Sequence, residues 1–286
     1  MFDTHCHLND PRLNGNLEKI IHEAKNAGVN LLLVPGYDLN SSYEAVRIAK
    51  ANKKIYAAVG IHPQRVYKYW KSRTMNNKKE EFNAELQQVE KLICKPFVVA
   101  VGEVGLDHYY CRNPKSPKFE VDTDLLALQK YALTKQIELA VKYDKSLILH
   151  SRKTTDDLLS VLAKANFKNL CRRVVFHCCE ADSKLLEFAK NNNVFIGVDG
   201  DVTYSKTKQN FVLKIPLSLL VLETDSPYLL PEPARARKDY PNQPKNLVMI
   251  ARQIAKLKKT SLEEITEITT VNAKKLFNIT SNNNFA

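Results

Sequence analysis

Five short β-rich runs in this chain each stop at a residue of metal-ligand type, and that recurrence restricts the fold more than anything else in the sequence. Phe2-Asp3-Thr4-His5-Cys6-His7 opens the chain. Phe97 to Gly102 leads to Glu103, Ser146 to Leu149 leads to His150, Arg173 to Phe176 leads to His177, and Leu219 to Thr224 leads to Asp225. Short runs rich in β-branched and aromatic residues read as strands. Strands that end in His, Glu or Asp deliver ligands from one end, and five strands delivering six ligands are hard to explain as accident.

The rest of the chain alternates with these runs. Helical patterns are expected over Asn16 to Ala27, closed by Gly28, then from an N-cap at Ser41 to about Asn52, and from about Lys78 to Cys94. Further helices are expected over Asp122 to Tyr143, Thr155 to Lys164, Ser183 to Asn191, a short stretch after the Asp199 to Lys208 loop, Asn246 to Lys258 and Ser261 to Leu276. Added strands at Val29 to Val34, Ile55 to Gly60 and Val194 to Gly197 bring the count to eight strand-then-helix units, with no Pro/Gly/Ser-rich linker between them. Strict β/α alternation argues for a parallel sheet, and eight units suit a closed (β/α)8 barrel of α/β class with an extra C-terminal helix. A doubly wound open sheet is the alternative, but it wants a Gly-rich phosphate loop after the first strand, where this chain has His5-Cys6-His7. The expected organisation is one catalytic domain over residues 1–279 and a flexible tail over 280–286.

Hydrophobic residues make up 44% of the 286 and charged residues 26%, a soluble globular balance. No run approaches the roughly 18 apolar residues of a spanning helix, so no membrane partner is expected. No basic segment precedes an apolar one at the N-terminus, where His5 and His7 sit, so the expected location is the cytoplasm. Six cysteines in so long a chain do not form a disulfide framework. Cys178-Cys179 beside His177 lacks a second pair at zinc-finger spacing, so free thiols are expected.

On a strand His5 and His7 project to one face, being two apart. In an eight-fold barrel every strand's C-terminal end opens on one mouth, so His5, His7, Glu103, His150, His177 and Asp225 would converge there. A carboxylate such as Glu103 at the end of an apolar run costs several kcal/mol to desolvate unless paired or metal-bound; an ion pair with Lys or Arg is the blander account. For Asp225, followed by Ser226-Pro227, the bland account is a turn or capping residue, and for His150 and His177 a core histidine. Four imidazoles and two carboxylates are too many for one four-coordinate ion. They suit two divalent ions bridged by Glu103 and sharing an activated water, which makes the reaction class hydrolysis.

At this level of detail the sequence resembles the TatD-type metal-dependent deoxyribonucleases, a branch of the amidohydrolase-like barrels. The matching stretches are Asp3-Thr4-His5-Cys6-His7, Gly60-Ile61-His62-Pro63 and Gly102-Glu103-Val104-Gly105-Leu106-Asp107. They continue with Leu149-His150-Ser151-Arg152, Phe176-His177-Cys178 and Leu222-Glu223-Thr224-Asp225-Ser226-Pro227-Tyr228-Leu229, and with Thr270, Asn272, Leu276 and Phe277. The resemblance implies cleavage of DNA phosphodiester bonds with two divalent ions (Mg²⁺, Mn²⁺ or Zn²⁺). It implies that His5 and His7 hold one ion with Asp225, that His150 and His177 hold the other, and that Glu103 bridges. Asp225 would also take a proton from the attacking water, while His62 and Arg152 would face the scissile phosphate, a guanidinium being able to grip two of its oxygens. The chain departs from the pattern at Cys179-Glu180, at Arg235-Ala236-Arg237 with Asn242-Gln243-Pro244, and at His108, where a Tyr is common.

The expected activity is that of a TatD-like deoxyribonuclease, a 3′-to-5′ exonuclease on single-stranded ends, with DNA (or RNA) as partner. The alternative is a D-aminoacyl-tRNA deacylase or another amidohydrolase-type hydrolase on the same barrel. A net charge of +12 suits attraction to a polyanion, though solvated helix faces also account for lysines. The segment from Arg65 to Lys79 mixes cations with Tyr67, Tyr69 and Trp70, as nucleic-acid stacking surfaces do. Oligomeric state is left open, and a monomer is compatible with everything above.

Overall fold

Strands and helices alternate in the computed structural model, which describes residues 1–71, 74–111, 120–165, 167–170 and 172–280. The strands are β1 (Phe2–Asp3), β2 (Leu31–Pro35), β3 (Ile55–Val59), β4 (Val98–Asp107), β5 (Ser146–Arg152), β6 (Val174–Phe176), β7 (Phe195–Val198) and β8 (Leu220–Leu222). They form one parallel sheet in sequence order. The helices around it are α1 (Pro11–Asn14), α2 (Leu17–Asn26), α3 (Leu39–Ala51), α4 (Pro63–Val66), α5 (Met75–Ile93), α6 (Thr123–Lys142), α7 (Thr155–Lys164), α8 (Ser183–Asn192), α9 (Lys206–Lys214), α10 (Leu247–Lys258) and α11 (Leu262–Leu276). This is the expected (β/α)8 barrel with an additional C-terminal helix. The tail at 281–286 lies outside the described residues.

Backbone bonds between β1 and β8 close the barrel. Thr4 N donates to Leu222 O at 3.0 Å, Asp225 N to His5 O at 2.9 Å and His7 N to Ser226 O at 2.7 Å. Asp3 reinforces this seam: its buried carboxylate accepts from Thr224 N at 3.0 Å and from Thr224 Oγ1 at 2.6 Å. The first and last strands therefore meet where the first and last ligand candidates stand.

Side-chain alternation sorts the core into two layers. Phe2, Leu33, Tyr56, Val99, Ile148, Val175, Phe195 and Val221, one from each strand, fill the barrel with Ala273, Leu276 and Phe277 from the end of the chain. Phe277 packs 5.7 Å from Phe2, ring centre to ring centre, and plugs the floor. Neighbouring strand residues such as Leu32, Val34, Ala57, Val59 and Leu149 face outward and bury against the helices. The strand period of two then sets the site: His150, His177 and Glu223 each stand two residues above an interior residue, on the same face.

Several boundaries differ from the sequence expectation for identifiable reasons. The helix expected to be capped by Ser41 begins at Leu39, because Asp38 caps it and shares a reciprocal box with Ser41. Strand β4 does not stop at Gly102 but continues to Asp107. Its glycines, which suggest a strand end, instead let β5 approach: a Cβ on Gly105 would lie 1.9 Å from His150 O, and one on Gly102 would lie 2.6 Å from Ile148 Cβ. Likewise β5 runs past His150 to Arg152. Gly105→Ala should consequently destabilise the protein by about 2–3 kcal/mol or more, as overpacking against backbone does, read as a lowered midpoint in urea; an unchanged midpoint would contradict the β4–β5 contact.

Candidate metal centre

Glu103 stands at the centre of the mouth, 5% exposed, with five histidines around its carboxylate. His150 Nδ1 lies 2.9 Å from Oε1, with His62 Nε2 at 3.4 Å and His177 Nε2 at 3.6 Å from the same oxygen. His5 Nε2 and His7 Nε2 face Oε2 at 3.4 and 3.8 Å. Asp225 Oδ1 closes the group at 3.5 Å from His7, 3.8 Å from His177 and 3.9 Å from His5. The Nε2 atoms of His5 and His7 are 3.2 Å apart, and the His5 and His177 rings stack at 3.5 Å. All six ligand candidates therefore meet at one rim, and no Lys or Arg is needed to explain Glu103.

Donor atoms 3.2 to 3.9 Å apart suit a divalent ion. Bonds of about 2.0–2.2 Å to nitrogen and oxygen place tetrahedral neighbours at that separation. Three-residue sets His5–His7–Asp225 and His62–Glu103–His150 could each hold an ion, with His177 offering its ligand atom in sets with Asp225 or Glu223. His5 Nδ1 and His7 Nδ1 are buried with no hydrogen-bond partner, while the Nε2 atoms of both rings face Glu103. The donor set of imidazole and carboxylate fits Zn²⁺ or Mn²⁺ readily and Mg²⁺ less so. The expectation pairs His150 with His177 on one ion; here the two share Glu103 Oε1, while His150 groups with His62.

Two further carboxylates aim the rings. Glu223 Oε1 lies 3.0 Å from His177 Nδ1, and Asp107 Oδ2 lies 2.9 Å from His150 Nε2. Such a carboxylate behind an imidazole fixes its tautomer and raises its basicity. Sequence reading placed Glu223 in a strand without a role and Asp107 in a loop. The signal available for both was strand parity, since Glu223 stands two residues above the interior Val221 and Asp107 ends β4. Cys178, set aside in the sequence, offers its sulfur in a set with His177 and Asp225. The described cysteines Cys6, Cys94, Cys111, Cys178 and Cys179 are free thiols, as expected.

Electrostatics follows from this packing. Burial opposes ionisation of Glu103, yet the charges of His62 and His177 hold its carboxyl well below the usual range. Burial also works against charge on His150 and His177, but bonds to Asp107 and Glu103 raise the first to about 9, and Glu223 with Glu103 raises the second to about 10. His5 goes the other way: burial, with His177 adding to it, drives it down to about 4.

The remaining candidates lie on the loops. His62 accepts from Gln64 N through Nδ1 at 3.0 Å, capping α4, which leaves Nε2 toward Glu103. Two buried glutamines of α6 hold this region: Gln136 pairs with both backbone groups of Ile61 at 2.7 and 3.0 Å, and Gln129 accepts from Asp107 N at 2.9 Å. Arg152 is half-exposed and held by Asp107, Nε at 3.1 Å and a terminal nitrogen at 2.7 Å. It lines a cavity of about 900 Å³ together with His62, Tyr37, Arg65, Lys208 and Tyr228. In the Arg65 to Lys79 segment, Arg65 reaches this cavity but Tyr69 is buried with its hydroxyl on Glu85 at 2.7 Å. Lys68 also pairs with Glu85, Lys78 is buried, and Arg73 lies outside the described residues. At the departures, His108 bonds Asp157 at 2.9 Å, Glu180 accepts from Lys153 N at 2.9 Å, and buried Asn242 donates to Thr224 O at 3.0 Å and Tyr228 O at 2.7 Å.

Comparison with known proteins gives one family over nearly the whole chain: the family described as TatD related DNase matches residues 2–278. The metal-dependent hydrolase YabD of Bacillus subtilis (strain 168) is 32% identical over 281 residues, 98% of this chain and 99% of that protein. Human Deoxyribonuclease TATDN3 is 28% identical over 278 residues, 97% of this chain and 94% of its own. Among solved structures, the TatD homologue YJJV from Escherichia coli K12 superposes with a TM-score of 0.82 at 28% identity, covering 98% of each chain.

Two outcomes follow from the geometry. Glu223→Ala should lower affinity for Zn²⁺ or Mn²⁺ about 10- to 100-fold, measured by titration calorimetry; wild-type affinity would remove Glu223 from its aiming role. At neutral pH, His150 and His177 carry protons in the metal-free protein, because their raised values of about 9 and about 10 lie above ambient pH. Ion binding must displace those protons, so affinity should climb between pH 7 and 9 and calorimetry in buffers of different ionisation enthalpy should show proton release.

Proposed function

This chain belongs to the TatD-related DNase family of metal-dependent hydrolases, and from that premise we propose that it hydrolyses phosphodiester bonds of DNA as a 3′-to-5′ exonuclease on single-stranded ends. Residues 1–279 act as one catalytic domain in this reading. The observation that carries it is the meeting of His5, His7, His150, His177 and Asp225 around the buried Glu103 beneath a cavity edged by arginines.

In this reading His5, His7 and Asp225 would hold one divalent ion and His150 and His177 a second, with the Glu103 carboxylate as a further ligand. Bound divalent ions supply Lewis acidity, activating a water and neutralising charge on the phosphoryl oxygens. The chain's own groups do the rest. Asp225, the most open of the carboxylates around the centre, takes the proton of the attacking water. Arg152, held in place by Asp107, presents its remaining donors to the scissile phosphate, and His62, which follows β3 at the same mouth, faces the centre beside it. Glu223 and Asp107 keep the His177 and His150 rings from turning as charge develops.

Incubation of end-labelled single-stranded DNA with the protein and Mg²⁺, Mn²⁺ or Zn²⁺ tests the reading. Stepwise shortening that EDTA abolishes is expected; an intact strand under all three ions would favour a sister hydrolase, such as a D-aminoacyl-tRNA deacylase. Asp225→Asn should keep measurable ion binding yet lose about 10²- to 10⁴-fold in kcat, the range for removing a general base. A near-normal rate in that variant would take the proton-accepting role away from Asp225.

A further inference from the structure

Four arginines among the described residues are held alike, each guanidinium laid over a tyrosine ring and tied from the side by a carboxylate. Arg12 lies 4.5 Å from the ring centre of Tyr228 and is gripped twice by Asp10, at 2.8 and 2.7 Å. Arg65 lies 4.8 Å over Tyr37 with Asp38 at 3.3 Å. Arg152 lies 4.6 Å over Tyr109 with Asp107 at 2.7 Å. Arg235 lies 4.3 Å over Tyr204 with Glu232 at 3.4 Å.

All four groupings come from segments at the C-terminal ends of strands, the end at which Glu103 stands. Tyr37 and Tyr228 are nearest the centre, their rings 6.0 and 6.1 Å from that of His7. Even with a guanidinium over each ring, Tyr109, Tyr228 and Tyr204 remain 57%, 47% and 37% exposed, a large aromatic area to leave in water. A carboxylate occupies two of a guanidinium's five N–H donors, so the others stay available for phosphate. The Arg235–Glu232 pair is open to solvent on both sides and contributes little, so its carboxylate yields readily to a phosphate oxygen, whereas the buried Asp107 keeps Arg152, which offers only its remaining donors.

Paired guanidinium donors and partly open aromatic rings match a chain that carries phosphates beside unstacked bases. Bases inside a duplex offer no face to a ring, and a phosphoester without a base offers nothing to stack. With the net charge of +12, we infer that this rim is a binding track for single-stranded DNA. Tyr37 and Tyr228 stack the bases flanking the cleaved linkage, Tyr109 and Tyr204 stack bases farther along, and the arginines hold the intervening phosphates. The inference rests on the DNA reading above and adds to it the residues that select an unpaired strand.

Binding separated from turnover tests it. Fluorescence anisotropy of a labelled oligothymidylate would be followed with full-length protein in EDTA, for wild type, for the combined Tyr109→Ala, Tyr204→Ala, Tyr228→Ala variant and for the matching Tyr→Phe variant. The alanine variant should bind about 100-fold or more weakly, given roughly tenfold per stacked base, and the phenylalanine variant should stay within about threefold of wild type. An abasic strand of equal length should bind wild type as weakly as the intact strand binds the alanine variant. Equal affinity for abasic and intact strands, or loss of affinity in the phenylalanine variant as large as in the alanine one, would overturn stacking even if alanine disturbs the fold. Cleavage of DNA with base-independent binding would sink the track and spare the nuclease reading; base-dependent binding without cleavage under any ion would do the reverse.

Discussion

A single anion buried among imidazoles governs the architecture of this protein. Glu103 sits at the end of an apolar strand stretch where an unpaired carboxylate would be costly. Five ring nitrogens within 4 Å offset that cost. Each of those rings must be held against its own tendency to turn, and the supports spread outward from there. Glu223 and Asp107 stand behind His177 and His150, Gln64 N fixes His62, and the glutamines of α6 pin the backbone that carries His62 and Asp107. Removing any support leaves a buried donor or acceptor unpaired, so the polar network at the mouth is as tightly specified as the apolar packing beneath it.

The architecture was readable from the sequence because it rests on repeated, local signals. Runs such as Ile148-Leu149-His150 and Val175-Phe176-His177 carry both the strand and its ligand in consecutive residues, and parity two decides which side chain faces inward. Helices with long apolar stripes, such as α6 and α7, began within a residue or two of the expected points. Errors fell where one residue type serves two purposes. Gly102 reads as a strand end but, like Gly105, serves as a point of close strand contact, and Ser41 reads as a cap when Asp38, three residues earlier, already fills that role.

The site divides along the same line. Ligand candidates at strand ends were legible; what aims them was not. Asp107 pairs with His150, 43 residues on, and Glu223 with His177, far back in the sequence, in elements whose approach no local pattern encodes. In the Arg65 to Lys79 segment composition does not tell one ring from another: Tyr69 is spent on the core and on Glu85, while Tyr67 stays exposed and Arg65 lines the cavity. Composition reports how many cations and rings a segment has, whereas burial decides which of them meet water. Three of the rings that stay exposed, Tyr109, Tyr204 and Tyr228, are scattered through the sequence and are gathered by the fold alone.

The seam between β1 and β8 has a consequence for how the molecule holds together. β1 is two residues long, too short to secure a sheet edge by its own ladder, and its continuation supplies His5 and His7 opposite Asp225. Any cation gripped by these three side chains fastens the first turn of the polypeptide to its last strand, like a clasp on a bracelet. Affinity for that cation then counts as resistance to unfolding. The feature that equips the protein for chemistry is also the one that keeps its ring from springing open.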